Sequence, residues 1–138
     1  MDLYSIFWIE DDEKIVEKII NNFSEDKEER GYTLMPHHYV CLDDFTENSK
    51  MELSSIVMEL VCIDYNLPGG INGDVIIRKI RSYPANRTIP IIFYSFAKNE
   101  VELRDILLES LEHIENIYYA HQDDLEDRIS YLIETWHS

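Results

Sequence analysis

The sequence predicts a doubly wound α/β domain, a parallel sheet with helices on both faces. Three observations predict it. Apolar runs of strand length alternate five times with stretches of helical period along the 138 residues, the pattern of βαβ units. The first, third and fourth runs are apolar at nearly every position, as strands covered on both faces must be. Those same runs end in reactive side chains: Glu10-Asp11-Asp12, Asp64 and Ser95. Open parallel sheets place ligand sites at the C-terminal tips of their strands, so one rim would collect all of them.

Leu3 to Ile9 is the first strand, interrupted in its apolar character only by Ser5. From Glu13 to Phe23 the period changes. Ile15, Ile19 and Phe23 recur every four residues with Val16 and Ile20 beside them, one apolar face of a helix. Ser24 to Arg30 is a charged, solvated exit that Gly31 ends. Tyr32 to Leu42 is a weaker strand, interrupted at Pro36. Proline cannot donate to a ladder, so this strand is expected to be short or at an edge. His37 and His38 are adjacent and would face opposite sides, which argues against a paired metal site. Asp43 to Ser55 is a polar helix, and Val57 to Asp64 is the central strand, closed by Pro68-Gly69-Gly70.

Gly73 to Ser82 is a short helix with Ile76, Ile77 and Ile80 inward, closed by Pro84. Ile89 to Tyr94 is a continuous apolar strand. Lys98 to His113 is a helix with Leu103, Leu107 and Leu111 as its stripe. Ile117 to Ala120 is the last strand. Asp123 to Trp136 is the final helix, with Leu125, Ile129, Leu132, Ile133 and Trp136 on one face and Asp123 or Asp124 as its cap. There is no internal repeat, low-complexity segment or linker, so one domain over residues 1–138 is expected, without a separate output domain.

The chain carries 28 acids against 12 Lys plus Arg, a formal net charge of -16. That balance argues against nucleic acid and anionic membrane as direct partners, since both need a basic surface. It suits divalent cations or a basic protein face. Cys41 and Cys62 read as buried, reduced thiols. No basic-then-apolar leader opens the chain, and no apolar run approaches ~20 residues. The expectation is a cytoplasmic protein.

If the first and third strands are neighbours, their carboxylates converge. Two of them ~5 Å apart at an effective dielectric of ~20 repel by roughly 3 kcal/mol. A hard cation offsets that repulsion, and oxygen-only ligands suit Mg²⁺ better than zinc. Each piece also has a plain structural use. Glu10 to Asp12 can serve a helix dipole, Asp64 a turn, and Ser95 a helix cap. Their shared rim favours a site.

Taken together, these segments resemble the receiver domains of two-component response regulators, of the chemotaxis-regulator type, over nearly the full length. Ile9-Glu10-Asp11-Asp12-Glu13 is similar to the family's acidic turn. Cys62-Ile63-Asp64-Tyr65-Asn66-Leu67-Pro68-Gly69 looks like its phospho-acceptor segment, and Gly73, Arg78 and Ile80-Arg81 match the helix after it. Ile89-Pro90-Ile91-Ile92 leading to Ser95 looks like its fourth strand and hydroxyl position. The order and spacing of the motifs are more specific than any one of them.

The resemblance implies a flavodoxin-like sheet in the order 2-1-3-4-5. It implies a stand-alone response regulator whose Asp64 accepts a phosphoryl group from a sensor histidine kinase or phosphotransfer protein. Such a protein is an acceptor with at most autophosphatase chemistry, not a turnover enzyme. Mg²⁺ would be held by Asp11, Asp64 and the backbone carbonyl of Asn66, with Glu10 acting directly or through water. Asp11-Asp12 is the other register for the acidic pair; Ile15, four residues past Asp11, favours Glu10-Asp11. Ser95 would donate to a phosphoryl oxygen, and Tyr118 matches the switch aromatic, with Tyr119 structural on the opposite face. The fourth helix, fifth strand and fifth helix would face a downstream protein partner, a basic one given the acids there.

Two positions depart from the family pattern. Where it has lysine then proline after the fifth strand, this chain has His121 and Gln122. Histidine is shorter and titrates near pH ~6.5 unless perturbed, and neighbouring carboxylates favour its charged form. His121 is then either a pH-sensitive substitute or the mark of a weakened switch. Lys98, three residues past Ser95, is another source of the charge. Phe96 stands where a small residue is usual and would restrict access to a phosphoryl group, slowing its hydrolysis. The loop from Pro68 to Gly73 is one residue longer than the common pattern, a surface variation. The competing readings are a pseudo-receiver, a protein-binding module independent of phosphate, and a small Mg²⁺-dependent phosphohydrolase. The last is weakened because Asn66 stands where a second aspartate is needed.

Overall fold

A computed structural model describes residues 2–40, 59–111 and 114–137 of the chain. Cys41, the polar helix expected over 43–55, the start of the central strand at 57–58 and positions 112–113 lie outside the described residues.

Five strands, β1 (Asp2–Ile9), β2 (Tyr32–Tyr39), β3 (Leu60–Asp64), β4 (Ile91–Ser95) and β5 (Ile117–His121), form one sheet in the order β2-β1-β3-β4-β5. Every pairing is parallel. The described helices are α1 (Glu13–Glu25), a single-turn α2 (Lys27–Arg30), α3 (Gly73–Ser82), α4 (Glu100–Leu108) and α5 (Leu125–His137). This is the flavodoxin-like order expected.

The strand period of two sorts the core into halves. Ile6, Trp8, Cys62, Ile92, Tyr94 and Ala120 project to one face, where Val16, Ile19 and Phe23 of α1 and Leu125, Ile129 and Ile133 of α5 cover them. Phe7, Ile9, Val61, Ile63, Ile91, Phe93 and Ile117 project to the other, against Ile76, Ile77 and Ile80 of α3 and Leu103 and Leu107 of α4. Each fully buried aliphatic or aromatic side chain contributes about 1.5–3 kcal/mol. Burial also pushes the Cys62 thiol above its ordinary range, so it stays an inert core residue.

Several boundaries differ from expectation for local reasons. β2 runs without a break through Pro36, which lies opposite Ile6. β2 is an edge strand, and a missing N–H on its outer side breaks no ladder. β4 starts after Pro90 rather than at Ile89, and it includes Ser95. α4 starts at Glu100, not Lys98, because Asn99 and Glu102 form a reciprocal capping box. It ends at Leu108, short of His113. β5 extends to His121. Neither Asp123 nor Asp124 caps the last helix by its side chain. They form a 3₁₀ turn whose Asp123 N–H is taken by the His121 side chain. Trp136, expected inward, is 40% exposed.

Candidate functional site

The C-terminal ends of β1 and β3 bring the acids together. The Glu10 N–H donates to the Tyr39 carbonyl at 3.0 Å, and the Tyr65 N–H to the Tyr94 carbonyl at 2.8 Å. The sheet ladder thus continues up to the acids on both strands and fixes their level. Carboxylate oxygens of Glu10, Asp11 and Asp64 lie within 4.8 Å of one another. Asp12 is used differently: its side chain accepts the Lys14 N–H at 3.0 Å and caps α1. Gly73 at the start of α3 is held against β3. Its N–H donates to the Tyr65 carbonyl at 2.9 Å. A Cβ there would press on the Asp64 carbonyl oxygen and come within 2.8 Å of the Ile63 side chain.

A cavity of about 350 Å³ sits over the cluster, lined by Glu10, Asp11, Asp12, Ile15, Asp64, Asn66, Phe96 and Gln122. Glu10 and Asp64 are almost fully buried, at 1% and 5% exposure, while Asp11 is exposed. Burial first, then the Asp64 charge, pushes the Glu10 carboxyl up to about 9. Burial also raises Asp64, to about 6, with Asp11 adding to the rise; hydrogen bonds from Glu10 and from the Asn66 and Tyr65 N–H groups hold it down. Buried carboxyls this close retain a proton near neutral pH unless a cation replaces it. The donor set, carboxylates with neither sulfur nor imidazole, fits a hard divalent cation.

Every polar atom of Glu10 is engaged. Oε2 accepts the Asp12 N–H at 3.1 Å, and Oε1 accepts the Tyr94 hydroxyl at 3.0 Å. That hydroxyl accepts the Trp8 indole N–H at 2.9 Å. The Glu10 backbone carbonyl accepts His38 Nε2–H at 2.7 Å. Sequence reasoning missed Trp8, Tyr94 and His38 here. A signal existed, because an indole N–H and a phenol buried in double-faced strands each need a partner.

Ser95 is fully buried and stands behind Asn66. Its oxygen meets Asn66 Nδ2 at 3.0 Å and the Ala97 and Lys98 N–H groups at 3.1 Å each. The Asn66 N–H in turn donates to Asp64 Oδ1 at 3.2 Å, so hydroxyl and acid are linked through one residue. Lys98 places its ammonium 5.2 Å from the Tyr65 ring centroid, above the residue that follows Asp64. Phe96 forms the cavity rim, 64% exposed. Tyr118 packs, half-buried, on the α1 and α5 side, and Tyr119 on the α3 and α4 side.

His121 lies opposite Ser95 in the sheet but does not line the cavity. Its Nδ1 accepts the Asp123 N–H at 3.1 Å, which leaves Nε2 as the donor to the Phe96 carbonyl at 2.8 Å. The ring also lies against Phe96, with centroids 5.6 Å apart. In this conformation His121 ties the loop after β4 to the turn before α5.

No protein-family model and no curated protein matches the chain. Solved structures do. A response regulator receiver domain from Rhodospirillum rubrum superposes with TM-score 0.62 at 18% identity, covering 93% of this chain and 89% of its own. A phosphorylated cyanobacterial phytochrome response regulator gives 0.62 at 19% identity, with 98% and 94% covered. A response regulator in its Mn²⁺-bound form gives 0.59 at 19% identity, with 96% and 94% covered. At such identities the likeness shows the fold: this chain has the fold of a response regulator receiver domain.

Proposed function

We propose that this chain is a phospho-accepting receiver. It would take a phosphoryl group onto Asp64 from the phosphohistidine of a sensor histidine kinase or phosphotransfer protein, and then engage a downstream protein partner in the cytoplasm. The observation that carries this reading is the convergence of Glu10, Asp11 and Asp64 at the carboxyl edge of a receiver-fold sheet. Similar folds are known in a phosphorylated and in a Mn²⁺-bound response regulator.

In the transfer, an Asp64 carboxylate oxygen bonds to phosphorus as the P–N bond breaks, and the departing imidazole keeps the electron pair. Asp11, Asp64 and the Asn66 backbone carbonyl would hold Mg²⁺, with Glu10 acting directly or through water. A bound divalent cation supplies the charge neutralisation that lets a carboxylate approach a phosphoryl group. Ser95, released from Asn66, would give its proton in a hydrogen bond to a phosphoryl oxygen. Tyr118 would respond as the switch aromatic.

Two observations favour a second reading, a pseudo-receiver that binds its partner without phosphate. Among the described residues no lysine or arginine lines the cavity, and His121 is occupied by backbone groups. Incubation with Mg²⁺ and a small acyl phosphate, followed by intact-mass measurement, separates the two. The first reading expects a gain of one phosphoryl group that Asp64→Asn abolishes. The second expects no gain from any donor.

A further inference from the structure

The geometry points to Tyr94, braced by Trp8, as a positioning residue that presents the Glu10 carboxyl to a divalent cation. This rests on the reading of Glu10, Asp11 and Asp64 as a cation site.

The sheet register puts the three groups in one row. Ile9 pairs with Ile63 and Ile63 with Phe93, so Glu10, Asp64 and Tyr94 share the next level. The period of two points them all to the α1 and α5 face, where Trp8, Cys62 and Tyr94 lie. Two strand spacings separate β4 from β1, about 9–10 Å. A tyrosine can reach across that gap beneath Asp64, and Tyr94 does so with no exposure to solvent.

The direction of the relay is fixed by chemistry. An indole N–H can only donate. The Tyr94 oxygen therefore accepts from Trp8, and its own proton is left for Glu10 Oε1. Oε1 is committed as an acceptor, and Oε2, which accepts from the Asp12 N–H, is the oxygen on the side of the acidic turn. The Glu10 backbone is clamped as well, by Tyr39 at its N–H and His38 at its carbonyl. A carboxyl so held cannot rotate away from Asp11 and Asp64. Phenylalanine at 94 would fill the same volume but leave a buried indole N–H and a buried carboxyl oxygen without partners.

The test titrates the full chain with Mg²⁺, and separately Mn²⁺, by calorimetry, in the wild type, Tyr94→Phe and Trp8→Phe. Partners that orient a metal ligand typically contribute 10–100-fold in affinity. Tyr94→Phe is therefore expected to weaken binding of both ions roughly tenfold or more. Trp8→Phe, which keeps the Tyr94 hydroxyl but frees its lone pair, is expected to weaken it less. Tryptophan emission in a Trp136→Phe background reports on Trp8 alone. It should shift on ion addition with Tyr94 present and lose that shift in Tyr94→Phe. If both variants are merely less stable, with wild-type ion affinity, and Tyr94→Phe keeps the Trp8 emission response, the relay is structural and the inference fails. If the wild type itself binds neither ion, the cation-site reading fails and the inference goes with it.

Discussion

Replacing Glu10 by glutamine should stabilise the metal-free protein at alkaline pH while it weakens the protein's hold on a cation. Carboxylate oxygens of Glu10 and Asp64 lie within 4.8 Å, which at an effective dielectric of ~20 is a repulsion of about 3.5 kcal/mol when both are ionised. The folded protein avoids it by keeping a proton on Glu10 up to about 9, whereas the unfolded chain releases that proton near pH ~4.3. Between those values the folded state binds more protons than the unfolded one. Stability therefore falls as pH rises, by at most about 1.4 kcal/mol per unit. Glutamine does not titrate, so Glu10's share of this slope should disappear, leaving only the share of Asp64 below about 6. The amide replaces the Asp12 and Tyr94 contacts imperfectly, at a loss of about 1 kcal/mol. The net expectation in EDTA is a variant about as stable as wild type near about pH 5, and more stable by about 4 kcal/mol near about pH 8. Saturating Mg²⁺ should reverse the order at the higher pH, because binding to the native state adds stability. Urea unfolding across this pH range, with EDTA or Mg²⁺, measures every quantity. A variant that is less stable than wild type at about pH 8 in EDTA, or a wild type with no downward slope, would refute the reasoning.

Gly73→Ala should cost about 1–3 kcal/mol, read by urea unfolding. Its Cβ would press on the Asp64 carbonyl and the Ile63 side chain, so acyl-phosphate labelling of Asp64 should slow as well. Phe96→Ala, which removes the rim of the cavity, should speed loss of a phosphoryl group from Asp64 several-fold in a Mg²⁺ buffer; an unchanged rate removes the idea that the ring shields the site. His121→Lys should lower stability by about 1 kcal/mol, because the Phe96 carbonyl and Asp123 N–H lose their shared partner. If a positive charge is what the site lacks, the same variant should label faster with acyl phosphate, and an equal or slower rate would show that it is not.

The parts of this protein legible in the sequence are those that depend on one segment at a time. A strand covered on both faces must be apolar at consecutive positions, which is how β1, β3 and β4 announced themselves and why β4 was misplaced only at its ends, by Pro90 and Ser95. The convergence of Asp64 with Glu10 and Asp11 was legible because all three end apolar runs of one parallel sheet, although each alone has a plain structural use. Contacts that depend on the register between distant strands were not legible. Trp8 and Tyr94 are 86 positions apart, and nothing in either run says that the phenol reaches past β3 to β1. His121 shows the further limit. Its place in the sequence matches a lysine that reaches toward the acids, but an imidazole can accept at one nitrogen and donate at the other, which a lysine cannot. Asp123 N–H and the Phe96 carbonyl stand close enough to use both. Equivalence of position therefore carried over the location of the residue and not its partner. Lys98, with its ammonium 5.2 Å from the Tyr65 ring centroid, is a cation that the described loops place beside the neighbour of Asp64.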